Sequence, residues 1–156
     1  MMNIQEKLNK INLTLPPAPK KGGLYNSTRE FGTHLLYLSG CGPNIEGEEV
    51  FSGKLGGEYT LEDGQRAAVM TTLNALAVMQ DALGDLGRVK KIVKTLCFVA
   101  SENDFYRQPE VANAASQLLI NVFGEEVGLG ARSAIGVNVL PGNIPFEIEL
   151  VVELHE

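Results

Sequence analysis

The sequence predicts an α+β fold in which two long helices cover one face of a sheet. Two stretches carry apolar side chains at helical spacing, from Thr60 to Leu83 and from Asn103 to Phe123, and a strand-like run, Val89–Val99, lies between them. The C-terminal part alternates instead with a period of two, in Gly130–Val139 and again in Pro145–Leu154, on either side of the turn Pro141-Gly142-Asn143.

Taken in order, Ile4, Leu8 and Ile11 give weak helical spacing. Pro16-Pro17-Ala18-Pro19 ends it and reads as an extended connector. Residues 1–21 are therefore set apart as an N-terminal extension and residues 22–156 as the main domain. Two strands follow, about Leu24–Arg29 and His34–Ser39, joined near Phe31-Gly32. The second runs into Gly40-Cys41-Gly42-Pro43, whose glycines open backbone conformations closed to other residues. A polar, glycine-rich loop spans Asn44–Glu58. Ser52–Gly57 inside it lacks the Gly-Lys-Ser/Thr order of a phosphate-binding loop.

Thr60 is an N-cap with Asp63 three residues on. Ala67, Met70, Thr71, Leu73, Asn74, Ala77, Val78 and Leu83 supply the first helical stripe, which ends near Gly84–Gly87. Asn103-Asp104 predict the cap of the second helix, with Val111, Ala114, Ala115, Leu118, Leu119, Val122 and Phe123 as its stripe. Pro109 in its first turns delays the regular part. Gly124–Gly130 reads as a loop.

Composition bounds the function. The 156 residues are 44% apolar and carry a net charge of −6, as expected for one water-soluble domain with a substantial core. The acidic balance disfavours nucleic-acid and anionic-membrane partners. The only basic cluster, Arg88, Lys90, Lys91 and Lys94, reads as the solvated start of a strand. Cys41 and Cys97 make neither a disulfide framework nor a metal site and are expected as free thiols. Met1–Leu15 has no continuous apolar segment, so no secretory leader is expected, and no run reaches the length of a membrane span. A cytoplasmic protein is the expectation.

Alternation also sorts the C-terminal side chains by face. Ser133, Ile135, Val137 and Val139 share one face of the first run, and Arg132, Ala134, Gly136 and Asn138 the other. In the second run Phe146, Ile148, Leu150, Val152 and Leu154 oppose Glu147, Glu149, Val151 and Glu153. If both apolar faces lie on the helices, Arg132 emerges beside the glutamates on the uncovered face, among small residues that let another sheet approach. An obligate oligomer with packed sheets is the expectation, and a solvated polar face is the alternative. A guanidinium over small neighbours with a carboxylate nearby suits binding a small carboxylic acid and activating water. From the residues alone, Arg132 also reads as a structural ion-pair partner of Glu147 or Glu149, and Glu149 competes with Glu147 for the cleft.

These elements resemble the RidA/YjgF family of reactive-intermediate (imine) deaminases, also known as endoribonuclease L-PSP proteins. The matching residues are Leu38-Ser39-Gly40, the helix Gln65–Leu83 with Leu73-Asn74, and the run Val93–Val99 through Asn103-Asp104-Phe105. The most specific are Ala131-Arg132-Ser133-Ala134-Ile135-Gly136-Val137, with Glu147 fifteen residues after Arg132. The resemblance, over residues 22–154, implies a chorismate-mutase-like α+β fold: a mixed sheet with two long helices on one face. It also implies a homotrimer whose sheets form a central β-barrel with clefts between subunits. It assigns Arg132 to the substrate carboxylate and Glu147 to the reacting carbon. Tyr25 would close the cleft from an adjacent subunit, and Ser39, Gly40, Phe105 and Ala134 would contact the ligand. No cofactor or metal is implied. Gly130, where many members have Pro or Ala, Ala134, where Cys is common, the N-terminal extension and a longer 124–130 loop mark a longer, divergent branch.

The activity so implied is hydrolysis of 2-imino or enamine acids to 2-keto acids and ammonia. One alternative is a trimer that binds small carboxylates without turnover. The other is a translation inhibitor or endoribonuclease, which fits poorly with the acidic charge and the lack of a histidine pair. Cys41 lies beside Gly40, but neither His34 nor His155 is a recognisable partner for a thiol nucleophile.

Overall fold

The computed structural model describes residues 3–156, so Met1 and Met2 of the expected extension lie outside the described residues. Its elements are α1 (Ile4–Lys10), β1 (Thr28–Phe31), β2 (Leu35–Cys41), α2 (Leu61–Leu83), β3 (Val89–Ala100), α3 (Gln108–Phe123), α4 (Glu125–Gly128), β4 (Ala131–Val137) and β5 (Phe146–Leu154). The five strands form one mixed sheet in the order β1-β2-β5-β3-β4. Only β3 and β4 run parallel, because α3 carries the chain back between them, as a parallel pair requires.

Local chemistry explains most boundaries. Thr60 accepts from the Asp63 N–H at 3.2 Å and its own N–H donates to Asp63 Oδ2 at 2.9 Å, a reciprocal cap that starts α2. Gly84 ends the helix in the left-handed region at φ 74°. The second long helix departs from expectation. It begins at Gln108 rather than after Asn103-Asp104, with no side-chain cap, because Pro109 fits only in a first turn. The Gln108 side chain turns back to donate to Phe105 O and to Ser101 Oγ. The 124–130 loop contains α4, and β1 lies later than Leu24–Arg29.

The helix-covered face of the sheet carries Leu36, Leu38, Ile92, Cys97, Val99, Ile148, Leu150 and Val152, all buried with α2 and α3 in one core. The N-terminal segment joins it: Leu8 is fully buried, and Lys7 Nζ donates to the Val122 carbonyl at 2.8 Å.

The faces of β4 are the reverse of the expectation. Register places Arg132 opposite Thr95 and Ala134 opposite Cys97, on the helix side, while Ile135 stands opposite Phe98 and so shares the uncovered face with Glu147. The start of α3 comes close to the end of this edge strand: a Cβ on Gly136 would lie 2.8 Å from the side-chain Nε2 of Gln108. The uncovered face is therefore not bare. It carries Tyr37, Leu96, Phe98, Ile135, Val137 and Val151 around Glu147 and Glu149.

Candidate functional site

The expected site residues fall into two groups in one chain. The first is built on β2. Between the pairs Leu38–Leu150 and Cys41–Ile148, β2 spends two residues, Ser39 and Gly40, against the single residue Glu149, which makes a β-bulge. The bulge turns this stretch toward Tyr25, and Tyr25, Ser39 and Gly40 line one cavity of about 160 Å³. Ser39 Oγ donates to Asn26 O at 2.6 Å, fixing the bulge to the segment before β1. Glu147 leans over Gly40 from β5. A Cβ on Gly40 would lie 2.7 Å from the Glu147 carboxyl carbon, so glycine is what makes room for the carboxylate.

The two glutamates differ. Tyr37 Oη donates to Glu149 Oε2 at 2.7 Å, and donating that hydrogen bond to a carboxylate is the main reason its phenol pKa is raised. Glu147 has no hydrogen-bond donor among the described residues. Burial first, and the neighbouring Glu149 charge second, raise its pKa above the ordinary 4.5. Burial likewise pushes the Cys41 thiol up to about 12, which leaves it a neutral core group rather than a nucleophile.

The second group lies on the helix side of β4. Arg132 Nη1 donates to Asn113 Oδ1 at 2.9 Å and to Ser116 Oγ at 3.1 Å, two residues one turn apart on α3. Its guanidinium has no carboxylate within ion-pair distance among the described residues, so the structural pairing with Glu147 or Glu149 does not occur within the chain. Ala134 and Gly136 continue along the same face. Gly136, near the end of β4, lines a cavity of about 230 Å³ together with Phe105 and Gln108, and Ala134 lies outside it. Sequence reasoning did not single out Asn113 and Ser116. Their only signal is a pair of polar residues at i, i+3 flanking the buried stripe of α3.

Arg132 and Glu147 thus stand on opposite faces of one sheet, with β3 between their strands. Residues 5–154 match the family described as "YjgF/chorismate_mutase-like, putative endoribonuclease". The chain belongs to this family. It is 40% identical over 152 residues to "Protein TCP17" of Trypanosoma cruzi, covering 97% of this chain and 94% of that one. The crystal structure of a "putative endoribonuclease" from Shewanella oneidensis MR-1 superposes with a TM-score of 0.92 at 30% identity, covering 98% of this chain and all of the other. A "2-iminobutanoate/2-iminopropanoate deaminase" of Dermatophagoides farinae is 27% identical over 144 residues, 92% of this chain and 95% of its own. The family match begins within the N-terminal segment, whose α1 packs on the core. Among the described residues no helix is long and apolar enough to cross a membrane.

Proposed function

We propose that this YjgF-family protein hydrolyses reactive 2-imino acids to 2-keto acids and ammonia, in a homotrimer whose clefts join the two groups of residues from neighbouring copies. The observation that carries the reading is the separation itself. A guanidinium without a carboxylate partner lies on one face, and a half-buried carboxylate without a donor lies on the other, so each is half of a site. A head-to-tail ring would bring the helix side of β4 from one copy against the apolar, Glu147-bearing face of the next, closing the sheets into a barrel. The deaminase relative named above supports the choice of chemistry.

In this reading Arg132 takes the substrate carboxylate through the guanidinium donors that Asn113 and Ser116 do not use. Glu147, ionised, accepts a proton from water, and the water oxygen bonds to the imine carbon while the C=N π electrons move to nitrogen. Starting from the N-protonated imine, Glu147 then returns the proton to the amine nitrogen and takes up the carbinolamine hydroxyl proton as the C–N bond breaks, so the carbonyl forms and ammonia leaves. A carboxyl with a raised pKa is a stronger base when ionised and a competent acid when not, which suits both steps. Tyr25 closes the cleft, backbone N–H groups near Gly40 and Ala134 orient the ligand, and Phe105 bounds its far end. The buried free thiols suit the reducing cytoplasm.

The test generates 2-iminopropionate in situ with an amino-acid oxidase and follows keto-acid release. The wild type should accelerate release over the uncatalysed rate, and Arg132→Ala should lower kcat/KM by roughly 10²–10³-fold, the usual cost of stripping one partner from an enclosed charge pair. No acceleration by the wild type would sink the reading.

A further inference from the structure

The cavity beside the β2 bulge holds two cations for which the deaminase reading has no use. Lys20 and Lys21 line it together with Tyr25, Ser39 and Gly40. No carboxylate is among its lining residues, and the Cys41 thiol on its wall is held neutral by burial. In a chain of net charge −6 this is a local excess of positive charge, and neither lysine forms an ion pair among the described residues.

The lysines are exposed, but their placement is fixed. Leu13, Leu15 and Ala18 pack against the core, so the stiff Pro16–Pro19 run is pinned at its start and middle and delivers Lys20 and Lys21 to the cavity rim. Beyond them the Gly22 N–H donates to the Tyr25 hydroxyl at 3.1 Å, tying the next turn to the same cavity. About 160 Å³ is room for a carboxylate and a few waters.

We propose that Lys20 and Lys21 form a second carboxylate subsite, which makes 2-imino dicarboxylic acids, the imines of acidic amino acids, the preferred substrate class. The inference rests on the deaminase reading for the other end of the substrate, where Arg132 of a neighbouring copy takes the carboxylate next to the imine. Glu147 does not line this cavity but its carboxylate lies against Gly40, which does, so in this reading the imine carbon sits toward Glu147 and the second carboxylate extends past Gly40 toward the lysines. The bond changes are those of simple imine hydrolysis. The lysines act as point charges in partly solvated surroundings, so the preference is moderate and falls with salt.

The experiment compares 2-iminosuccinate with 2-iminopropionate, each generated in situ, using wild type, Lys20→Ala/Lys21→Ala and Lys20→Arg/Lys21→Arg. The wild type should favour the dicarboxylic imine in kcat/KM by about tenfold, the sum expected of two screened pairs. That ratio should collapse toward one in the alanine pair and persist in the arginine pair. Parity in the wild type, or a preference that survives both alanines, overturns the proposal. Calorimetric binding of succinate against butyrate reads the subsite without turnover. Tighter succinate binding that is lost in the alanine pair upholds it even if no imine is hydrolysed, and equal binding of the two acids overturns it.

Discussion

Glu147 and Glu149 leave β5 on the same face two residues apart, yet only Glu149 has a donor, the Tyr37 hydroxyl. The contrast makes Glu147 the group whose titration should be visible. Its folded-state pKa is raised, so the folded chain favours the protonated form. The stabilisation this gives is complete below the unfolded value near 4.5 and is lost as pH rises through the higher folded value. Glu147→Gln should therefore melt above wild type at neutral pH, with the gap closing as pH falls below the ordinary carboxyl value. Thermal melts across that range check it. In the deaminase reading the same variant should lose roughly 10²–10⁴-fold in kcat, the usual worth of a positioned acid–base group. Glu149→Gln removes the like charge that helps raise Glu147, so it should move the acidic limb of kcat/KM to lower pH while leaving the enzyme active. A limb that stays in place would mean that Glu147 is not the titrating base.

Edge strand β4 explains what could and could not be read from the chain at the scale of an element. Its entry is tight: a Cβ on Gly130 would lie 2.6 Å from the Ile92 carbonyl oxygen, a backbone atom that cannot swing aside. Gly130→Ala should cost about 1–3 kcal/mol in urea unfolding, as overpacking against fixed atoms does. An unchanged midpoint would show that the β3–β4 entry can relax. The alternation in β5 was legible because one face is continuously apolar, and Phe146, Ile148, Leu150, Val152 and Leu154 all turned inward. The same was true of α2, whose Thr60 and Asp63 announce the cap. In β4 alternation told which residues share a face but not which face is inside. The apolar-inward rule chose Ile135 and Val137, but the register with β3 turns Arg132 and Ala134 to the helix side, where Asn113 and Ser116 of α3 accept from the Arg132 guanidinium and make a polar residue tolerable there. The fifteen-residue spacing of Arg132 and Glu147 was readable too. Their separation across β3 was not, since it follows from the parallel return through α3.

For the whole molecule, the uncovered face is the unfinished part. Ile135 is 43% and Tyr37 40% exposed, with Leu96, Phe98, Val137 and Val151 half-buried around them, an apolar surface that favours cover by another protein layer. The proposed ring makes a prediction that no single-chain site shares. Arg132→Ala and Glu147→Gln should each be inactive alone, because every cleft then lacks one of its two groups. Unfolded together in equal amounts and refolded, they should form mixed rings. A cleft is intact where a copy that keeps Arg132 precedes one that keeps Glu147, so activity should return to about a quarter of wild type by random assembly in a closed heterologous ring. If both groups acted within one chain, every site in the mixture would still lack one of them and nothing would return. Light scattering on the same mixture fixes the number of copies. A monomer there, with activity intact in wild type, would overturn the intersubunit cleft while leaving the chemistry at Arg132 to be tested by itself.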